Sequence, residues 1–294
     1  MSVDGPSSNR INRTPDAYLN IVAETQRRHR LLAVHWEITY RCNERCSHCY
    51  LDVLPPGAAP VGELTTEECF RVLDELAAEG VLNISFSGGE IFVRKDWHAI
   101  LAHARQRGFA IRIFTNATLI TPQIADQIRN LHPFMVEVSL YAVDAETHDR
   151  ITRLPGSFEK TLRGVKLLRE RKVKVTLKTP LMRENVHQFH AFEEFARAYG
   201  AIWHFDPTIT PRDNGLTGNL GHRLTEEQLA WLYRETFTAE SFVFAPGDAD
   251  ARTCGITQNS LALDPYGEVF PCVQVRTSAG NVRQAPIHSL WNQA

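Results

Sequence analysis

Three observations predict an α/β fold with a parallel sheet. Six short runs rich in Val, Ile and Phe recur between residues 33 and 205. Longer stretches of helical period separate them, and stop or start residues such as Thr65, Gly80, Gly108, Pro122 and Gly200 punctuate those stretches. Strands that alternate with helices in this way run parallel and are joined by right-handed crossovers. Alternation alone leaves two architectures open, a doubly wound open sheet and a whole or partial barrel. In both, the chemistry sits at the C-terminal ends of the strands.

The expected strands are 33–39, 82–87, 110–115, 134–140, 173–179 and 201–205, apolar as buried parallel strands should be. The expected helices are 66–79, 97–107, 122–131, 157–171 and 186–199. Residues 1–32 form a polar lead-in with Arg27, Arg28 and Arg30 near its end. After Phe205 the chain turns rich in Pro, Gly, Asn and Thr, which predicts a long loop and a boundary near residue 215. A helix at 225–236 follows. Runs 259–264 and 268–272 flank Pro265-Tyr266-Gly267 and predict a β-hairpin. The expected organisation is a lead-in (1–32), a core (33–215) and a small α+β extension (216–294).

Composition excludes several classes. The 294 residues are 43% apolar and 22% charged, values too ordinary for a disordered or fibrous chain. The formal net charge is −2, so no nucleic-acid partner is expected. No apolar run approaches the roughly 18 residues that would span a bilayer, and the polar N-terminus lacks a signal peptide's apolar stretch. A cytoplasmic chain with no membrane partner is expected. Six cysteines are too few for a disulfide scaffold of this size.

Their positions carry more. Cys42, Cys46 and Cys49 follow the first strand in a C-x₃-C-x₂-C spacing. Three thiolates on one short loop suffice for three irons of a cubane and leave the fourth without a protein ligand. The competing reading is structural zinc on these cysteines and His48. Zinc sites usually pair two C-x₂-C hairpins, and no second pair is present.

This loop resembles that of the radical S-adenosylmethionine (radical SAM) superfamily, with His48 at the ring position before the last cysteine. The resemblance implies a partial (β/α)6 TIM-type barrel and a [4Fe-4S] cluster whose free iron chelates the methionine moiety of S-adenosylmethionine. It also implies further cofactor contacts at other strand ends. Ser87-Gly88-Gly89-Glu90 resembles the motif that meets the methionine amino group, with Ile91 where Pro is frequent. Paired glycines let backbone approach a ligand, and a carboxylate receives an ammonium. Asn116 stands in Thr115-Asn116-Ala117, similar to the family's Thr-Asn-Gly, although a turn or helix cap explains it as well. Ser139 matches the ribose-contacting position. Lys178, a cation within an apolar strand, has either the ligand carboxylate or Glu137 as its partner. Arg150 and Arg153 are further candidates for the ligand carboxylate, with solvated helix charges the favoured reading, and Cys69 reads as a small core residue.

Near the C-terminus, Cys254, Gly267 and Cys272 are spaced C-x₁₂-G-x₄-C and resemble the opening of the SPASM extension of peptide-modifying radical SAM enzymes. Cys254 and Cys272 are candidate ligands of an auxiliary iron–sulfur cluster, yet two cysteines supply half of the roughly four ligands a closed cluster takes. A truncated extension or the loss of auxiliary clusters is favoured over completion by outside ligands.

The expected activity is reductive cleavage of S-adenosylmethionine to methionine and a 5′-deoxyadenosyl radical, which abstracts hydrogen from a substrate. The resemblance points to a ribosomally made precursor peptide or protein side chain, as for the pyrroloquinoline quinone peptide cross-linking enzyme. A flavodoxin- or ferredoxin-type donor is implied by the chemistry. The alternatives are modification of a tetrapyrrole or other small molecule, and a degenerate, non-catalytic iron–sulfur scaffold.

Overall fold

Residues 16–236, 254 and 256–293 are described by the computed structural model. All six expected core strands form: β1 (Ala33–Glu37), β2 (Asn83–Ser87), β3 (Ala110–Thr115), β4 (Met135–Ser139), β5 (Val175–Pro180) and β6 (Ile202–Asp206). Each pairs in parallel with the next. β6 does not return to β1, so these six parallel strands form an open, partial barrel within the sheet.

Helices α2 (Thr66–Ala78), α3 (Trp97–Gln106), α4 (Pro122–Asn130), α6 (Ser157–Glu170) and α7 (Phe189–Ala198) fill the expected crossovers. They follow α1 (Asp16–Arg27) in the lead-in. Local chemistry explains their starts. Thr65 and Glu68 form a reciprocal capping box on α2, and Thr121 caps α4 with Pro122 at its first turn. The stretch expected as one helix from 186 is a 3-10 turn, Val186–Gln188, leading into α7.

Two features depart from expectation. A short helix, α5 (Ala145–Thr152), precedes α6, capped by Asp144. And the hairpin of the extension, β7 (Ser260–Leu263) with β8 (Glu268–Phe270), is not a separate layer. β7 pairs in parallel with β1, and β9 (Gly280–Asn281) adds beyond β8, giving one nine-stranded sheet ordered β6-β5-β4-β3-β2-β1-β7-β8-β9. α8 (Glu226–Thr236) and α9 (Ile287–Gln293) complete the extension, and α9 packs near α2.

The two faces of the sheet differ. Trp36, Phe86, Ile113, Val138 and Leu177 face the helices and are buried in the main apolar core. His35, Ser87, Phe114, Ser139 and Lys178, offset by one residue, face a cavity instead. A closed eight-stranded barrel fills its interior with branched apolar side chains. This open one keeps a polar interior, which is what a ligand chamber requires. Among the described residues, no helix is long and apolar enough to cross a membrane.

Candidate active site

The cavity at the C-terminal ends of the strands measures about 280 Å³, near the lower end for small-molecule sites. Cys42, Cys46, His48, Cys49, Ser87, Gly88, Gly89, Asn116, Ser139 and Lys178 all line it. Asp206 at the end of β6, Thr208 and Ile209 just past it, and Val273 and Gln274 of the extension add to its wall.

The cysteine loop is held on several sides. The backbone N–H groups of Arg45 and Ser47 donate to the carbonyls of Thr152 and Ile151 at the end of α5. Asn116 Nδ2 donates to Asn43 Oδ1 at 3.0 Å, and Asn43 Nδ2 to Thr118 Oγ1 at 2.8 Å. Tyr141, just after β4, accepts from Cys46 Sγ at 3.7 Å and packs edge-on to His48 with ring centroids 4.7 Å apart.

The glycine pair acts on this loop. A Cβ on Gly88 would stand 2.2 Å from the Thr39 carbonyl oxygen, and one on Gly89 would stand 2.4 Å from that of Arg41 and 2.9 Å from Cys42 Cβ. Gly89 and Glu90 donate backbone N–H groups to Thr39 and Arg41 at 2.8 and 2.9 Å. The glycines therefore let the end of β2 touch the backbone that carries Cys42, besides lining the cavity.

Glu90 lies just past the end of β2 as expected, but its side chain departs from the expected role. It has no exposed surface and does not line the cavity. Its carboxylate accepts from Thr115 Oγ1 at 2.8 Å, from the Asn116 N–H at 2.8 Å and from the Phe92 N–H at 3.2 Å. Burial pushes it up to about 7. It ties β2 to β3 rather than presenting a carboxylate to a ligand ammonium. Asn116 is likewise committed on both side-chain atoms, because its Oδ1 accepts from Thr118 N–H and Oγ1 at 3.0 and 2.7 Å. Ala117, in the place of the family's glycine, adopts φ 61 and is fully buried against Gly164 of α6.

Lys178 meets Glu137, one of its two expected partners, and faces the cavity where the other would lie. Its Nζ lies 3.7 Å from Glu137 Oε2 and 4.9 Å above the Phe114 ring, and its side chain lines the cavity. Glu137 already accepts from Arg112 at 3.2 Å, so Lys178 is only partly compensated. Arg150 pairs with Glu146 in solvent, and Cys69 is buried on the inner face of α2, as expected of each.

Sequence reasoning missed His35, Glu44 and Tyr141. His35 Nε2, Glu44 Oε1 and His48 Nδ1 are buried with no hydrogen-bond partner among the described residues, and all three residues line the cavity. Unpaired buried polar atoms are costly, and convergence on one cavity marks a place for a ligand. The signal for His35 was present: a histidine inside an apolar strand.

Burial pushes Cys49 up to about 11 and holds Cys42 and Cys46 well above the ordinary thiol value. Three such thiols become thiolates only against a cationic partner. Among the described residues, no three His, Cys, Asp or Glu side chains converge as a single ion demands. A cubane instead takes each thiolate on a different iron. The donor set fits a [4Fe-4S] cluster, and the polar strand ends beside it fit S-adenosylmethionine. Of the other two cysteines, Cys254 is exposed and Cys272 half-buried.

Comparison with known proteins agrees with this geometry. Residues 36–196 match the model of the radical SAM superfamily, and residues 254–294 match SPASM, an iron–sulfur cluster-binding domain. The chain is 29% identical to the AdoMet-dependent heme synthase of Methanosarcina barkeri, covering 90% of this chain and 82% of that protein. It is 30% identical to the mycofactocin maturase MftC of Mycobacterium tuberculosis, covering 85% and 67%. The crystal structure of Streptococcus suis SuiB bound to precursor peptide SuiA shares the fold, with a TM-score of 0.69 at 16% identity over 99% of this chain and 73% of that one. The chain is an enzyme of the radical SAM superfamily, of the SPASM type.

Proposed function

We propose that this enzyme removes hydrogen from a ribosomally made peptide or a protein side chain, leaving a cross-link or an oxidised residue. The observation that carries its chemistry is a loop of three buried thiols facing a polar cavity. The bound cluster and S-adenosylmethionine supply one-electron cleavage to methionine and a 5′-deoxyadenosyl radical, the reactive species that the protein must position and shield.

In this reading Cys42, Cys46 and Cys49 hold the cluster. The Gly88–Gly89 backbone, Ser87, His48, Ser139 and Lys178 receive S-adenosylmethionine, with Lys178 taking its carboxylate. Asn116 and Glu90 fix the loop and strand ends that do so. His35, deeper on β1 with a free Nε2, faces the substrate. Tyr141 and the residues after β6 help exclude water. The core (33–215) carries this chemistry, and the extension (216–294) supplies wall residues and the candidate auxiliary ligands Cys254 and Cys272. A flavodoxin- or ferredoxin-type protein supplies the electron.

The similarity to a mycofactocin maturase supports a peptide substrate. A second reading, modification of a tetrapyrrole, is supported by the similarity to heme synthases, which spans 90% of the chain. One experiment separates these and tests the core claim. The reconstituted, reduced protein is given S-adenosylmethionine anaerobically, with a candidate precursor peptide or with iron coproporphyrin III. 5′-Deoxyadenosine is expected from the wild type and not from Cys46→Ala. A peptide lighter by two hydrogens supports the first reading, and mass lost from the porphyrin supports the second. Iron binding without cleavage would make the chain a scaffold and refute both.

A further inference from the structure

The two ends of the cysteine loop meet at one buried carboxylate. Glu37 closes β1 and is 1% exposed. Tyr40, two residues before Cys42, donates its hydroxyl to Glu37 Oε2 at 3.1 Å. Tyr50, immediately after Cys49, donates to Oε1 at 2.6 Å. The charge on that carboxylate is balanced from the extension. Arg276 Nη2 lies 2.7 Å from Oε1 and Nη1 2.9 Å from Oε2, a two-pronged pair. Nη1 also donates to the Tyr40 oxygen at 3.1 Å. The guanidinium is itself largely buried, 5.6 Å from the Tyr50 ring centroid and 5.1 Å from that of Phe270. Val273 and Gln274, a few residues before Arg276, line the cavity.

The network is complete: each Glu37 oxygen accepts one hydroxyl and one guanidinium N–H. A buried ion pair of this kind tolerates joint replacement far better than loss of one member, which strands a charge. Its position adds a second consequence. The charges stand at the end of β1, where residues from both arms of the cysteine loop converge, in surroundings of low dielectric where they act strongly on a nearby redox centre.

We propose that Arg276 and Glu37 are positioning residues for the cluster, which fasten both ends of the cysteine loop to the extension and set the electrostatic balance at the cluster. The inference rests on the reading that Cys42, Cys46 and Cys49 hold a [4Fe-4S] cluster. The extension is then part of the catalytic site through Arg276, whatever Cys254 and Cys272 bind.

The test is an anaerobic redox titration of the full, reconstituted chain, followed by electron paramagnetic resonance, with bound iron measured in parallel. Arg276→Gln removes a cation and is expected to move the reduction potential down. Glu37→Gln removes an anion and is expected to move it up. The E37Q/R276Q double variant strands no charge, and it is expected to return towards the wild-type potential and iron content. Arg276→Lys keeps the charge and is expected to hold the potential. Shifts of the same sign in both single variants would reveal general loosening and overturn the proposal, as would a potential that moves in neither. A wild-type chain that forms no cluster would overturn the underlying reading as well, so the two failures are distinguishable.

Discussion

The chain carries two sets of cysteines in different surroundings. Cys42, Cys46 and Cys49 line one cavity on a loop held by β1, β2, the turn after β3 and the end of α5. Cys254 is exposed and Cys272 half-buried; the Cys272 thiol accepts the backbone N–H of Gln274 at 3.5 Å, and its carbonyl that of Val275 at 3.1 Å. A ligand set preorganised by its surroundings binds before the metal has to order it. The loop has that preparation, and among the described residues the Cys272 thiol has less of it. The largest contrast should follow. Alanine at any one of the three loop cysteines is expected to abolish the S-adenosylmethionine-dependent paramagnetic signal. Cys272→Ser is expected to lower bound iron only by the share that the extension holds, and to leave that signal in place. Iron analysis with electron paramagnetic resonance reads both. Loss of the signal in Cys272→Ser would make the two sets one functional unit.

A second contrast separates glycines that serve the loop from glycines that merely turn the chain. Gly89 would place a Cβ against Arg41 and Cys42, whereas Gly57 has nothing within 4 Å. The obstacle at Gly89 is backbone, which cannot swing aside. Gly89→Ala is expected to cost about 1–3 kcal/mol, as overpacking does, and to lower iron retention with it. Gly57→Ala is expected to stay within about 0.5 kcal/mol, as for other surface changes. Chemical denaturation measures the difference, and equal losses would mean that the tight contact in the loop relaxes freely.

How much of this was legible in the sequence depends on sequence distance. The six parallel strands were, because each is a short apolar run and amphipathic helical stretches lie between them. The cysteine loop was, because its spacing lies within eight residues. α5 was not, since its eight residues carry too little apolar periodicity to stand out. The parallel pairing of β7 on β1 was not, because Ala33 and Ser260 meet only in the fold. Arg276 and Glu37, 239 residues apart, were invisible for the same reason. Motif position was a better guide to place than to orientation. Glu90 lies where its motif puts it, but three donors on β3 and the turn after β2 claim its carboxylate. A string of letters marks the end of a strand and not the direction of a side chain.

Lys178 sharpens the comparison at the smallest scale, because it belongs to both the structure and the cavity. Its Nζ is 3.7 Å from Glu137, longer than a direct hydrogen bond, and its side chain is 33% exposed. An ion pair of that exposure contributes about 0–1 kcal/mol to folding. Arg112 also holds Glu137, so removing Lys178 strands no carboxylate. Lys178→Met, which keeps the apolar stem over Phe114, should therefore change stability by under about 1 kcal/mol. A charge-assisted hydrogen bond to a bound carboxylate contributes about 1.5–3 kcal/mol. Loss of that bond should weaken S-adenosylmethionine binding by about tenfold or more, at about 1.4 kcal/mol per decade. Equilibrium binding and denaturation of the same variant read the two effects separately. A variant that binds the cofactor normally yet unfolds more easily would assign Lys178 to Glu137 and to the sheet alone, and would leave the carboxylate of S-adenosylmethionine to another group on the cavity wall.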